Sequence, residues 1–469
     1  MTDETRLAWW KPWRWPFAVG LMVLVVSLVI VAFGVRMYFL SLVPAIAEPF
    51  DVAEFIRVAD DIPPEENGGE NYRRAHEMVD RAFVQIDSLR GPSRIVSSNF
   101  EVAWSEADES VRLAMDQLRP SLHEWREGTE KRFGQITPLA EMEWDTLLYV
   151  EQRFRFVDRL AAFEASRLEA EGDFEGAWRW YRAVYRCIGH LGRRNILVPR
   201  CIGWSMHSFV SDRVASWAEN PSVTAEQLRT ARADIRAAVA EMGPMSDTLK
   251  AEYISFEKSL QRRDWPLGMV ALPNAAWLQK VYTPTVGPLL WIVGEPELTR
   301  RIYRHTLTNQ LAEIDKPLHE ARPVARTGSA LLFDPPNRES VSPGGLSPTE
   351  ISIASNQSFI ACQVVYDLGY YTVMLRQRAW FQLTDLSLTL QLFKRERGEY
   401  PEGLDQLVPD YLEAVPLDAF DAAGLPIRYR REKPDRAVVW SIGPNRTDDD
   451  GEVGDSALGN TPDYGRVLK

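Results

Sequence analysis

The chain has 469 residues, more than the ~250–300 that one hydrophobic core usually serves, so more than one compact unit is expected. Hydrophobic residues make up 45% and charged residues 26%, ordinary values for a folded protein. The formal net charge of -12 and the lack of Lys/Arg runs argue against a nucleic-acid partner, which requires clustered cations to displace counterions.

The first element is apolar. Residues 16–35, PFAVGLMVLVVSLVIVAFGV, carry no charge, and about 20 such residues suffice for a helix to cross a bilayer. Pro16 suits a first helical turn, where its missing N–H is not needed. Trp9, Trp10, Trp13 and Trp15 crowd one end, as rings at headgroup level do, and Arg6, Lys11 and Arg14 lie on the same side. Beyond the span come Glu48, Asp51 and Glu54. The positive-inside rule therefore gives a cytoplasmic tail over 1–15, a transmembrane helix with a juxtamembrane extension over 16–43, and an extracytoplasmic bulk. A bacterial inner-membrane protein with a single pass is the resulting expectation. A cleaved signal peptide is the rival, with Ala45–Ala47 as its small-residue site, but the apolar stretch exceeds the usual ~7–15 residues.

Residues 51–322 read as a helical-hairpin body. Phe174, Ala177, Trp178, Tyr181, Val184, Tyr185 and Ile188 recur three and four apart, the stripe of an amphipathic helix. The segment 148–172 reads as its antiparallel partner, turning at Gly172. Thr224 and Gln227 form a capping box for a helix that stops at Gly243-Pro244. Further helices are expected over 70–90, 104–130, 200–218 and 246–262. The stretch AEGDFEGAWRWYRAVY from Ala170 resembles the turn and second helix of a tetratricopeptide repeat, with Gly172, Ala177 and Tyr181 at its small and aromatic positions. A single copy is present, whereas such solenoids need at least about three.

Residues 265–296 are apolar and broken by Pro and Gly, which leaves open a buried wandering segment or an exposed apolar face. Residues 323–347 read as a linker, rich in turn formers. Ser347-Pro348-Thr349-Glu350 then opens a helix, and 348–469 forms a long helix followed by a small α+β module. In that module PIRYRR and RAVVWSIG alternate as strands of an antiparallel β-hairpin. A hairpin alone is marginal in water and must lie on the preceding helix; Tyr429, Val438 and Trp440 are the candidates for the packed face. The fold class is thus mainly α, with an anchor helix, a helical-hairpin body and an α+β ending.

The order Gly398-x-Tyr400-Pro401, Leu404, Leu407, Pro416-Leu417-Asp418, Gly424-Leu425-Pro426 and Ser441-Ile442-Gly443 resembles the C-terminal half of the major pseudopilins of type II secretion. The whole chain looks like bacterial proteins that join a membrane anchor, a helical body and this ending. The resemblance implies a calcium loop after the Ser-x-Gly strand, carried onto Asn445, Asp448, Asp450 and Asp455; calcium takes ~6–8 oxygens, which a turning acidic loop supplies. Asn445 departs from the family's usual aspartate, Arg446 stands where a glycine follows, and no glutamate lies in the apolar helix. A solvated acidic turn is the competing reading of the same residues.

No HExxH, GxSxG, P-loop or GxGxxG occurs. Glu141, Glu143 and Asp145 are close enough for a carboxylate pair on one helix face, though solvated acidic faces are commoner. Cys187, Cys201 and Cys362 form no CxxC; the first two pair in an oxidising compartment or stay as buried thiols. The expectation is a membrane-anchored interaction or scaffold protein with envelope protein partners and no catalytic site. The alternatives are an accessory docking component of a type II secretion or pilus-like machine, and an enzyme whose site is assembled from distant residues.

Overall fold

A computed structural model describes residues 11–89, 97–143, 148–261, 295–321, 370–453 and 463–469. Asp145, Cys362, Asp455, the first two tryptophans, most of the apolar 265–296 stretch, the linker and the Ser347 helix start lie outside these residues. The described chain is mainly helical and ends in three strands. It divides into two compact units, one of residues 1–49, 257–309 and 323–368, the other of 50–256, 310–322 and 369–469.

In the first unit, α1 runs Lys11–Leu42. Its stretch Pro16–Leu42 has 27 residues, a mean hydropathy of 2.9 and no buried part. At 1.5 Å per residue that is about 40 Å, longer than a ~30 Å hydrocarbon layer. This helix is long and apolar enough to cross a membrane. The last carbonyls of a helix lack intrahelical partners, and here α10 (Glu295–Glu313) supplies them. Arg301 donates to the Leu40 and Val43 carbonyls at 3.2 and 3.1 Å, and His305 Nε2 donates to the Pro44 carbonyl at 2.9 Å. A cation at that end also suits the helix dipole.

The second unit holds α2 (Val52–Asp60), α3 (Gly69–Leu89), α4 (Glu109–Thr129), α5 (Tyr149–Ala170), α6 (Phe174–Gly192), α7 (Leu197–Glu219) and α8 (Ala225–Met242). To these it adds most of α9 (Met245–Gln261) and all of α11 (Tyr370–Arg397). The α6 stripe is buried from Ala177 to Ile188, with Phe174 half-buried against it, and Trp178 packs on Trp217 of α7 with ring centroids 5.0 Å apart. Gly172, at φ 82°, makes the expected α5–α6 turn. The Thr224 capping box is present. The expected helix over 104–130 begins later, because Trp104–Glu106 forms a separate 3-10 turn before α4.

α11 belongs to the same core as the hairpins: Phe381, Leu388 and Leu392 join Tyr185, Met206 and Val214 in one buried cluster. Two polar links reinforce this. Arg232 and Arg236 of α8 both reach Asp385, at 3.1 and 2.8 Å. Arg200 of α7, buried, donates to Gln377 Oε1, to Thr248 Oγ1 and to the Gly243 and Pro244 carbonyls that end α8. Its neighbours are neutral acceptors, and burial draws its pKa down to about 10.

The sheet runs β1 (Arg428–Lys433), β2 (Arg436–Ser441), β3 (Tyr464–Leu468), antiparallel throughout. Its register corrects one expectation. Tyr429 pairs with Val439, while Val438 faces Arg430 and Trp440 faces Arg428. Directly opposed residues share a face, so Tyr429 lies on the other side from Val438 and Trp440. The Val439 face also carries Tyr464, Arg466 and Leu468 of β3. It meets α11, where Tyr464 stacks on Trp380 at 5.3 Å. Yet Val438 and Trp440 are buried too, because a loop covers them.

Candidate functional site

The cover is the acidic loop itself. Asp448 accepts the Trp440 indole N–H at 2.9 Å and the Asp450 amide at 3.1 Å, and its other oxygen lies 3.6 Å from the Arg428 guanidinium. Gly451, at φ 74°, sits flat on the indole; a Cβ there would lie 3.1 Å from the ring. Arg430 also packs on the ring, its guanidinium 5.4 Å from the Trp440 ring centre and 2.8 Å from Asp450 Oδ1. Asn445 bridges to Asp449 at 2.9 Å and accepts from the Thr447 amide.

Two buried aspartates anchor this arrangement. Asp418 takes hydrogen bonds from the Phe420 and Ile442 amides, the Ser441 hydroxyl and Arg428 Nη1. It ties together the Pro-Leu-Asp and Ser-Ile-Gly stretches that the sequence singled out. Burial raises its pKa despite those four donors. Asp463 Oδ2 receives the Asp449 and Gly451 amides at 3.1 and 3.0 Å, while Oδ1 is buried with no partner. Burial raises this carboxyl as well, assisted by the negative charges of Asp448 and Asp449.

These contacts decide how well the loop suits calcium. Among the described residues no group of three or more His, Cys, Asp or Glu converges as a metal site does. Asp448 is turned to Trp440 and Arg428. Asp450 is 92% exposed and held by Arg430, and Asn445 is engaged within its own turn. A cation seated here would compete with two guanidiniums already in place; Asp455, the remaining expected ligand, lies outside the described residues. The described donors do not form a ready cage. Of the expected carboxylate pair, Glu141 closes a 3-10 turn, Leu139–Glu141, and is exposed, while Asp145 lies outside the described residues.

A second site has no counterpart in the sequence reading. The loop 133–142, the end of α2 and the α6–α7 connection enclose an open concavity of about 30 Å³, lined among others by Ile62, Thr137, Met142, His190, Arg193 and Asn195. Asp60 shapes the wall, accepting from Gln135 Nε2 and from the Leu139 and Ala140 amides, each at 2.7 Å. His190 forms the back. Its Nδ1 is 2.7 Å from the Tyr72 hydroxyl, and Gly134 presses on it so closely that a Cβ would come within 2.4 Å of Nδ1. Burial, and then Arg186, lowers the His190 pKa to about 3. The ring is therefore neutral at physiological pH, its Nδ1 sharing a hydrogen bond with the Tyr72 hydroxyl, whose own pKa is raised by burial.

The rim is cationic. Arg193 lies 4.3 Å from the centre of the Phe133 ring, and burial, then Arg194, holds its pKa below the usual range. Arg194, at φ 45°, also lines the concavity and reaches to within 3.6 Å of Asp247, which Lys250 shares at 3.3 Å. The adjacent pair Arg193-Arg194 just beyond a helix end was the available sequence signal. What it lacked was the loop more than fifty residues upstream that turns it into a pocket wall. Cys187 and Cys201 are free thiols, and burial raises both pKa values.

No family profile, curated protein or solved structure matches this chain. Function rests on the geometry alone.

Proposed function

We propose that the protein is a single-pass membrane-anchored interaction protein, with its N-terminus in the cytoplasm and its folded units presented to envelope proteins on the other side of a bacterial inner membrane. The observation that carries this reading is α1: from Phe17 to Tyr38 its described large apolar side chains are exposed around the helix, a surface that only an apolar solvent satisfies. Its exit is gripped by Arg301 and His305, so the anchor leads into an ordered segment rather than a free tether. The second unit supports a presenting role, since the hairpins and α11 share one buried core.

The test is crosslinking of the full-length chain in native membranes, followed by affinity capture and mass spectrometry. A parallel variant carries Leu24→Arg and Val29→Arg, each costing about 2.5–3.5 kcal/mol at mid-membrane. The expected result is a defined set of envelope partners for the native chain, lost when the variant leaves the membrane fraction. Enrichment of secretion or pilus components would make it an accessory docking protein of such a machine. Capture of no partner would overturn the interaction reading.

A further inference from the structure

The concavity beside His190 presents several side-chain donors that the described protein groups do not engage. Among the described residues, three half-exposed polar side chains on its lining have donors with no protein acceptor: the Arg193 guanidinium, the Thr137 hydroxyl and the Asn195 amide, whose Oδ1 alone is used, by the Ile196 amide; His190 Nε2, behind them, is buried with no partner. Such donors stay open to water or to a ligand that brings an acceptor. Neighbouring carboxylates do not supply the missing acceptor. Asp60 spends both oxygens on the 135–140 loop, Asp247 is divided between Arg194 and Lys250, and Glu241 attracts Arg193 without forming an ion pair.

Size narrows the occupant. One water needs about 10–15 Å³ of such space, so about 30 Å³ admits two or three non-hydrogen atoms. Shape narrows it further. Arg193 is braced on Phe133, so its planar fork is ordered before any ligand arrives, and a guanidinium matches a carboxylate with two parallel hydrogen bonds. The apolar rim of Ile62, Leu139 and Met142 suits the carbon to which that carboxylate is attached. His190, neutral and locked by Tyr72 and Gly134, contributes shape without charge.

We propose that this concavity binds a single carboxylate, held by Arg193 with Thr137 and Asn195 as auxiliary donors. The carboxylate belongs either to a small free acid or to an acidic side chain of a protein partner, and the two sources share the same chemistry at the site. The proposal stands apart from the membrane-anchored reading, because nothing in it depends on α1.

The experiment holds the full chain in lipid nanodiscs and follows thermal unfolding and calorimetric binding with two probes. One is sodium acetate against sodium chloride at equal ionic strength. The other is the capped tripeptide acetyl-Ala-Glu-Ala-amide against its Gln counterpart. Wild-type protein is expected to respond to acetate, to the Glu peptide, or to both, and not to the matched controls. Arg193→Gln should weaken the apparent affinity about tenfold or more, the loss of a bidentate charged pair, and Thr137→Val by a few fold. Arg179→Gln, an exposed change on the same helix at the Glu175 pair, should leave it unchanged. Response to the peptide alone assigns the carboxylate to a partner; response to acetate alone assigns it to a small acid. A wild type indifferent to both probes, or an affinity unmoved by both Arg193→Gln and Thr137→Val, overturns the proposal. Should Arg193→Gln fail to fold, Thr137→Val still reads the site.

Discussion

The acidic loop over Trp440 and the concavity beside His190 carry opposite kinds of information. The loop is loud in the sequence, with three consecutive aspartates, Asp448–Asp450, and quiet in the fold, where Arg428, Arg430 and the Trp440 indole answer its charge within one module. The concavity is silent in the sequence, yet the fold gathers there a cation and two neutral side chains whose donors meet no acceptor among the described residues. Charge that is clustered along the chain tends to find local neighbours of opposite sign. Charge assembled from distant segments has no such guarantee, and its residual demand is the better pointer to a ligand.

The largest effect is expected where the loud region meets its hidden support. Asp418→Ala removes the acceptor for two amides, a hydroxyl and the buried face of Arg428. Removing one partner of a buried ion pair typically costs about 3–5 kcal/mol. Amide hydrogen exchange should show residues 416–453 losing protection first, with α3 and α4 protected longer. Equal loss throughout the second unit would mean that the C-terminal module and the helical hairpins unfold as one, and the comparison between two local regions would collapse into a single cooperative block.

A somewhat smaller effect sits next to the quiet region. Glu252 of α9 is buried and caps the first amide of α7, Leu197, at 2.7 Å, only two residues beyond Asn195. Burial raises its pKa to about 7. A folded pKa above the unfolded value, near 4.3–4.5, means that the native state holds a proton which the unfolded chain releases. This group therefore removes stability as pH rises from about 4.5 to 7, by about 3 kcal/mol at 1.36 kcal/mol per unit. Glu252→Gln keeps an acceptor for Leu197 and cannot ionise. It should match the wild type near pH 4.5 and exceed it by up to about 3 kcal/mol above pH 7.5 in urea unfolding. His190 and His207, both lowered to about 3 by burial, act with the opposite slope: stability falls as pH drops below about 6.5. Both proteins share that limb, so it cancels in the difference. A constant difference across pH would place the Glu252 carboxyl in water.

What the sequence revealed and what it withheld follow from range. α1 was legible because twenty uncharged residues have few alternatives, and α6 because its aromatic stripe repeats every three to four positions. The Thr224 capping box and the Gly172 turn are local geometry, set by residues three or four apart. Strand alternation was also legible, but alternation only sorts side chains into two faces. Which face meets the helix depends on register with β1 and β3, and Tyr429 was therefore grouped with Val438 and Trp440 instead of Val439. The burial of Trp440 on its outer face needed the loop to fold back, which no periodicity encodes. The pocket needed residues 59–62, 133–142 and 190–195 at once. Its polar members look like ordinary surface residues until the fold brings them together.

The smallest expected effect separates the two readings of the loop most cleanly. Asp450 is 92% exposed, and its ion pair with Arg430 spans solvent, where such pairs contribute about 0–1 kcal/mol. Asp450→Asn should thus shift the unfolding midpoint by less than about 0.5 kcal/mol, equally in calcium and in chelator, if the loop serves as a lid on Trp440. A calcium loop predicts something else. Ligand present at a hundredfold its dissociation constant stabilises the native state by about 2.7 kcal/mol, and removing one carboxylate ligand would erase much of that gain only when calcium is supplied. The double comparison, wild type and variant with and without the metal, isolates the interaction from any structural cost of the substitution. A calcium-dependent difference would transfer Asp450 from the arginine to the metal, and the loud region would then carry a ligand of its own.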